Sequence, residues 1–393
     1  YQSGEIQSQK NVELTANALE NQQGTLQASG SSSLLVANEI NNTQGKISAS
    51  QGITATGQSV KNQKGQLLSG GTLQLSTSNV DNSQGGLLYS QKQLLLSIEN
   101  ALNNAHGKLQ SGENLTLTSK TLDNTSGKIE SQHPLNITST ERIDNTAGAI
   151  LSNQNQLLET KTFKNQQGTV SSLGKLALNA TELDNTQGAL ISQHAGTYSI
   201  KQLNNTQGKI HSGDTLTLTA TDIQNQQGQL VSTNALKLIA LTLDNRHHGI
   251  LSSQGRLNLL LNALDNRENG LVHGSKETTL TVKNIENTKG RLQSNENLTF
   301  SEVDILNNQS GQVLANGDIA LNTDAASTSA QLALANQQGT LQSGSSLAIY
   351  TQSINNQGGT IKSQKALSLT AAQDYTHRAG DTLTSNQSVT LNI

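Results

Sequence analysis

The sequence predicts an all-β chain, a parallel β-helix (solenoid) of about 19 coils with a 20–21-residue period. Three observations predict it. A glycine returns at a nearly fixed interval. Aliphatic residues alternate with polar ones in short runs between the glycines. An Asn-x-x-Gly phrase closes most of the runs, as in the stretch LNNTQGKIHSGDTLTLTATDIQNQQG at 203–228.

The landmark glycines begin Gly4, Gly24, Gly45, Gly65, Gly85 and continue to Gly359 and Gly380. Sixteen of the eighteen intervals are 20 or 21 residues, one is 22, and one, Gly311 to Gly339, is 28. A fixed period of this size means that each repeat stacks on its neighbours instead of closing a core alone.

Within a repeat, the second residue after the glycine is aliphatic. Ile129, Ile150, Val170, Leu190, Ile210 and Leu230 are six such positions and are expected to form one inward ladder. The fourth residue is usually a small serine, as at Ser131, Ser152 and Ser212. An alternating pair follows, such as Leu115/Leu117 or Leu216/Leu218. A further aliphatic residue stands five before the next glycine, such as Leu122 or Ile143. Period-2 alternation in pieces this short indicates strands, about three per coil, and no stretch sustains helical spacing. Such strands must pair with the coils above and below, which advances the chain by about 4.8 Å per coil, or roughly 90 Å in all. The interior expected from these residues is narrow, aliphatic and free of aromatics.

The phrase itself reads as a corner. The residue three before the glycine is Asn124, Asn145, Asn165, Asn185, Asn205 and Asn225 in successive repeats. Asparagine bonds neighbouring backbone in turns, and amides stacked at one corner can bond between coils. An internal asparagine ladder is therefore expected, with the glycine taking positive φ at no steric cost.

The pattern spans 1–393 as a single β-helical repeat domain. Regular coils occupy 1–311, an irregular coil with an inserted loop around NTDAASTSA (322–330) occupies 312–338, and regular coils resume at 339–393. The chain starts at Tyr1 and reads as a fragment of a longer exoprotein.

Composition narrows the function. The 393 residues include 43 Asn and 34 Gly but no Cys, Met or Trp. Without Cys there is no disulfide framework and no thiolate metal site. Net charge is −3 and charged residues are only 13%, which argues against nucleic acid as a partner. No apolar run approaches the roughly 18 residues of a membrane span.

The segments LDNTSGKIESQ (122–132), LDNTQGALISQ (183–193) and LNNTQGKIHSG (203–213) resemble the haemagglutinin repeats of filamentous haemagglutinin-type exoproteins. That family comprises passengers of two-partner secretion and includes contact-dependent growth-inhibition proteins of the CdiA type. The resemblance recurs along almost the whole chain. It implies a right-handed β-helix, export through an outer-membrane partner transporter, and a place on the bacterial cell surface. Nothing in the chain matches the family's secretion domain or a carboxy-terminal toxin. The part that remains is the structural shaft, alone or with a receptor-binding part.

Signs of chemistry are sparse. Asp123, Asp144, Asp184 and Asp244 share the position before the corner Asn, but Lys61, Lys164, Asn103 and Asn204 stand in the same column, so a Ca²⁺ ladder is not expected. Outward threonines such as Thr217/Thr219 give way to Lys237/Ile239, which breaks any flat threonine array. The turns are too short to build an enzyme cleft, the eight histidines show no ligand spacing, and no cofactor is implied. Two corners, DNRHHG (244–249) and DNRENG (265–270), carry one extra residue. Arg246 and Arg267 are expected to project there. With His247, His248, Arg256, His273 and Lys276 they form the candidate contact patch for an acidic glycan or a receptor on another cell. The functions in competition are a passive shaft, a receptor- or glycan-binding segment and, disfavoured, a polysaccharide-active enzyme.

Overall fold

Alternation of buried aliphatic and outward polar residues recurs from coil to coil inside the ends of the computed structural model, which describes residues 3–323, 332–373 and 375–393. The chain is all-β, and its strands pair in parallel, one coil on the next, as a β-solenoid of about 19 turns. It divides into two compact units, residues 1–198 and 199–393.

In the first unit a coil starts with a four-residue strand, such as Lys128–Ser131. Its partner above is Ala149–Ser152, with Ile129 opposite Ile150 and Ser131 opposite Ser152. Ile150 then meets Val170, and Val170 meets Leu190, all four fully buried. The serine closes the tight turn that follows. Ser131 Oγ donates to the Glu113 carbonyl of the coil below at 2.7 Å and lies 3.4 Å from the Pro134 carbonyl across the turn. In most coils the rest is one longer strand, such as Leu115–Asp123 or Leu135–Asp144, while the first coils split it, as at Ser32–Val36 and Glu39–Asn41. A register shift at Ser119/Thr121 bends the longer strand, so the second and third strands expected from the alternation run together through a bulge.

In the second unit the same plan holds. Ile210, Leu230, Leu251 and Val272 are successive register partners and fully buried. Some coils here do split the longer strand, as at Thr215–Thr219 and Asp222–Gln224.

Three expectations need correction. Apart from Gly85 and Gly380, the landmark glycines do not take positive φ. The residue before the corner glycine does: φ is 52° at Ser126, 53° at Ala147 and 56° at Gln167. Each of these left-handed residues donates its N–H to the coil above, as from Ser126 to the Thr146 carbonyl at 2.9 Å, which offsets the backbone strain. The glycine is required for a different reason. A Cβ on Gly127 would stand 2.3 Å from the Asn104 carbonyl and 2.6 Å from Asn124 Oδ1.

The second correction is one of register. At the fifth landmark the corner has five residues, Asn82 to Gly86, and Gly86 holds the close position. Gly85 has φ +88° and open space around it. Leu88 is therefore inward and opposite Leu109, while Leu87 lies opposite Lys108. At the last landmark, Gly380 again takes the left-handed place, with φ +92°.

Third, the core is not free of aromatics. Phe163 replaces an aliphatic residue between Ile143 and Leu183, and Phe300 and Tyr198 are also buried. Space for Tyr198 comes from Gly196, where a Cβ would approach the tyrosine ring to 2.9 Å.

Of the 312–338 stretch, the structure describes the strand Gln312–Ala315, which pairs in register with strands on both sides. Asn322 donates to the Val303 carbonyl at 2.6 Å and accepts from its N–H at 3.0 Å. The remainder of the expected inserted loop, residues 324–330, lies outside the described residues.

Candidate functional site

The six corner asparagines are fully buried. Asn124 Nδ2 donates to Asn145 Oδ1, Asn145 to Asn165 and Asn165 to Asn185, each at 2.7 Å. In the second unit Asn205 donates to Asn225 at 2.7 Å. Each amide also reaches the carbonyl of its own corner glycine, as from Asn124 to Gly127 at 3.3 Å, and a carbonyl of the coil above, Ala149 at 3.3 Å. The ladder runs without a break through the two widened corners: Asn225 to Asn245, Asn245 to Asn266 and Asn266 to Asn287, each at 2.8 Å. Counting three back from the glycine missed Asn245 and Asn266, because each of those corners has one more residue. The DN dipeptide at 244–245 and 265–266 was the signal that locates them.

The column beside the ladder makes local turns. Asp123 Oδ1 accepts the Thr125 N–H at 2.9 Å, and Asn103 does the same for Ala105 at 3.0 Å. Asp and Asn are interchangeable in this role. Among the described residues no group of three or more His, Asp or Glu is placed to hold a metal ion.

The contact patch does not project as expected. Arg246 folds back on its own corner: Nε and Nη2 donate to Asp244 at 3.0 and 2.7 Å, and Nε lies 3.5 Å from Asp265. Arg267 does the same with Asp265, at 2.8 and 2.6 Å. Burial pushes the Asp244 carboxyl up, but the hydrogen bonds and charge of Arg246 outweigh it and hold the carboxyl below the usual range. His247 Nδ1 meets the Glu268 carboxylate, and Arg256 lies 3.9 Å from Glu277. His248 contacts the Asn269 amide at 3.4 Å. His273 sits half-buried on the other sheet, opposite Ser252, and burial together with nearby Arg291 lowers its pKa. Lys276 forms no ion pair among the described residues. Over 244–277 the four Arg and Lys are matched by four Asp and Glu, so the patch has no net charge with neutral histidines.

Two grooves follow the bend of the longer strands. In the first unit the groove, about 620 Å³, is lined by hydroxyls such as Ser97, Thr118 and Ser119 beside Glu99 and Lys120. In the second unit a groove of about 300 Å³ is lined mainly by Ala240, Leu241, Leu260, Leu261 and Val282, with Asn262, Lys283 and Glu302 beside them. Leu241 and Leu260 are 53% and 49% exposed, and Leu260 has Ile239 and Thr281 as its register partners. Ile239 was the visible sign of this apolar interruption.

No curated protein matches the chain, and no solved structure does. The haemagglutinin repeat family model matches it eight times, at 1–39, 33–97, 69–158, 145–197, 191–260, 241–322, 299–349 and 325–392. With its stacked Asn-x-x-Gly corners and its run of family matches from end to end, the chain belongs to the haemagglutinin-repeat family.

Proposed function

We propose that the chain is part of the shaft of a secreted bacterial surface exoprotein, an adhesin or a contact-dependent inhibition protein of the CdiA type. In this reading it is exported through an outer-membrane partner transporter, and its coils hold functional parts away from the cell. One observation carries the proposal: the residues that define the repeat, Asn and Gly at the corner, are consumed inside the fold. What faces outward varies from coil to coil, is mostly polar, and includes few aromatics to anchor a partner. The reading is non-enzymatic, and it is supported by the recurring carboxylates Asp123 and Asp144, which accept turn N–H groups. The test is to immobilise the full chain and titrate whole bacterial and host cells over it. Weak binding that fades with salt supports the shaft. Saturable, salt-insensitive binding overturns it.

A second reading is a receptor-binding segment. The apolar groove at Leu241 and Leu260 favours it, since exposed apolar side chains on an otherwise polar flank are a common mark of recognition. In the same titration, Leu241→Ser/Leu260→Ser would then abolish saturable binding while leaving the melting curve unchanged.

A further inference from the structure

Within the second unit, the two exposed leucines sit at the centre of a charge pattern. Leu241 and Leu260 flank a groove floored by Leu261 and Val282. Along its Leu241 side the successive coils stack in plain parallel register. Lys201 stands on the lowest of six coils, and Thr221 donates its N–H to the Lys201 carbonyl at 2.9 Å. Asp222 is on the second coil, Leu241 on the third and Asn262 on the fourth. Lys283 is on the fifth. Asp304, whose N–H donates to the Lys283 carbonyl at 2.8 Å, is on the sixth with Glu302. From bottom to top the strip reads positive, negative, apolar, neutral, positive, negative. All but the half-buried Asp222 are exposed. Lys201 and Lys283 form no ion pair among the described residues. Lys237, two residues before Ile239, lies off the groove lining. The strip covers five coil steps, about 24 Å.

We propose that this strip docks a second copy of the chain, side by side and antiparallel, about a two-fold axis between Leu241 and Leu260. The argument is charge complementarity. Reversing the strip about its midpoint sets Lys201 of one copy against Glu302 and Asp304 of the other, and Asp222 against Lys283. A parallel pairing in register would set like charge on like. The midpoint of the charges falls between the coils of Leu241 and Leu260, so the same axis brings each leucine against the other from the second copy. Every contact then occurs twice, as a two-fold interface requires, with an apolar centre and a charged rim. A strip this short falls below the roughly 800 Å² per partner of a stable dimer. The association is therefore weak and concentration-dependent. It rests on the reading of the Leu241–Leu260 groove as a recognition surface and names the partner.

The experiment is sedimentation velocity on the full chain from about 1 μM to about 1 mM, with a melting curve for every variant. A reversible monomer–dimer equilibrium is expected. Leu241→Ser/Leu260→Ser should weaken it at least about tenfold, the scale of losing buried leucine contacts. Lys201→Glu and Glu302→Lys should each weaken it, and the two together should associate more tightly than either alone. Lysine suits the left-handed place of Glu302, since Lys64 and Lys289 hold φ of 55° and 58°. Direction is read with cysteine, which the chain lacks. On oxidation, Leu241→Cys chains mixed with Leu260→Cys chains should link to each other more than to themselves. The proposal is overturned if the chain stays monomeric throughout, or if the leucine variant melts as wild type and associates unchanged. It is also overturned if the combined charge reversal is no tighter than the single ones, or if each cysteine chain links mainly to itself. A monomeric chain that loses saturable cell binding on Leu241→Ser/Leu260→Ser overturns the self-association and leaves the receptor reading standing.

Discussion

Asn124 Nδ2 donates to Asn145 Oδ1 at 2.7 Å across one coil, with both side chains fully buried. The same Nδ2 reaches the Gly127 and Ala149 carbonyls, and Asn124 Oδ1 in turn accepts from Asn104 at 2.7 Å. One side chain thus ties its own turn to the coils on either side. Buried polar groups normally require such complete satisfaction.

The corner glycine answers to that packing. Gly127→Ala would drive a methyl into the Asn104 carbonyl, which the parallel pairing fixes. A loss of about 2–3 kcal/mol is expected, the upper range for overpacking. Gly85, at φ +88° with nothing near its Cβ, is the control. Gly85→Asn should cost no more than about 1 kcal/mol, since Asn tolerates the left-handed region. Chemical denaturation of the two variants measures the difference. Equal losses would show that backbone conformation, and not close approach, selects glycine at the corner.

Gln156 is a weak point of the first unit's interior. It is buried between Leu135 and Leu176, and neither Oε1 nor Nε2 has a partner among the described residues. Two unpaired polar atoms in such a place cost about 1–3 kcal/mol each. Gln156→Leu should therefore raise stability by at least about 1 kcal/mol, read as a higher denaturation midpoint. A lower midpoint would mean that the amide finds partners, such as ordered water, inside the tube.

Leu190→Asp tests the inward ladder. Leu190 is fully buried opposite Val170. Burying such a side chain is worth roughly 1.5–3 kcal/mol, and an unpaired carboxylate in its place adds a larger penalty. Circular dichroism should show early melting, with loss spreading to adjacent coils because stability is nearest-neighbour. Wild-type melting would mean that the register is wrong.

Stability should fall with acid in two windows. His211 and His273 have lowered pKa values, chiefly through burial. The unfolded chain takes up their protons first, so their contribution is lost as pH drops below about 6.5. The Asp244 carboxyl is also held low, so its contribution persists above about 4 and is lost below. His211→Gln/His273→Gln should flatten the melting profile between pH 7 and 5, and Asp244→Asn should flatten it below 4. A histidine variant with an unchanged slope would remove the first window.

Much of this fold was legible because period and alternation are geometric. Ile129, Ile150 and Leu122 could be placed inward from spacing alone. What spacing could not show was which residue carries the left-handed turn. Ser126, Ala147 and Gln167 share no chemistry, since the position demands only a conformation that bonds between coils offset. Counting from a glycine also misled wherever a corner widened, at Gly85/Gly86 and at Asn245 and Asn266. The arginine patch was legible as a set of residues but not as a charge. Its neutrality depends on Asp244 and Glu277, just outside the stretch first read as basic, and on Arg246 turning back toward its own corner.

The comparison of Asn124→Ala with Asp123→Ala bears most directly on the central claim that the repeated phrase is an internal bracket. The first removes a side chain bonded to two coils and orphans several buried groups, at about 1–3 kcal/mol apiece. The second removes one turn bond to Thr125 at a half-buried position, worth about 1 kcal/mol. Thermal melts followed by circular dichroism should show a large drop for Asn124→Ala and a small one for Asp123→Ala. Equal drops, or a stable Asn124→Ala, would contradict the account.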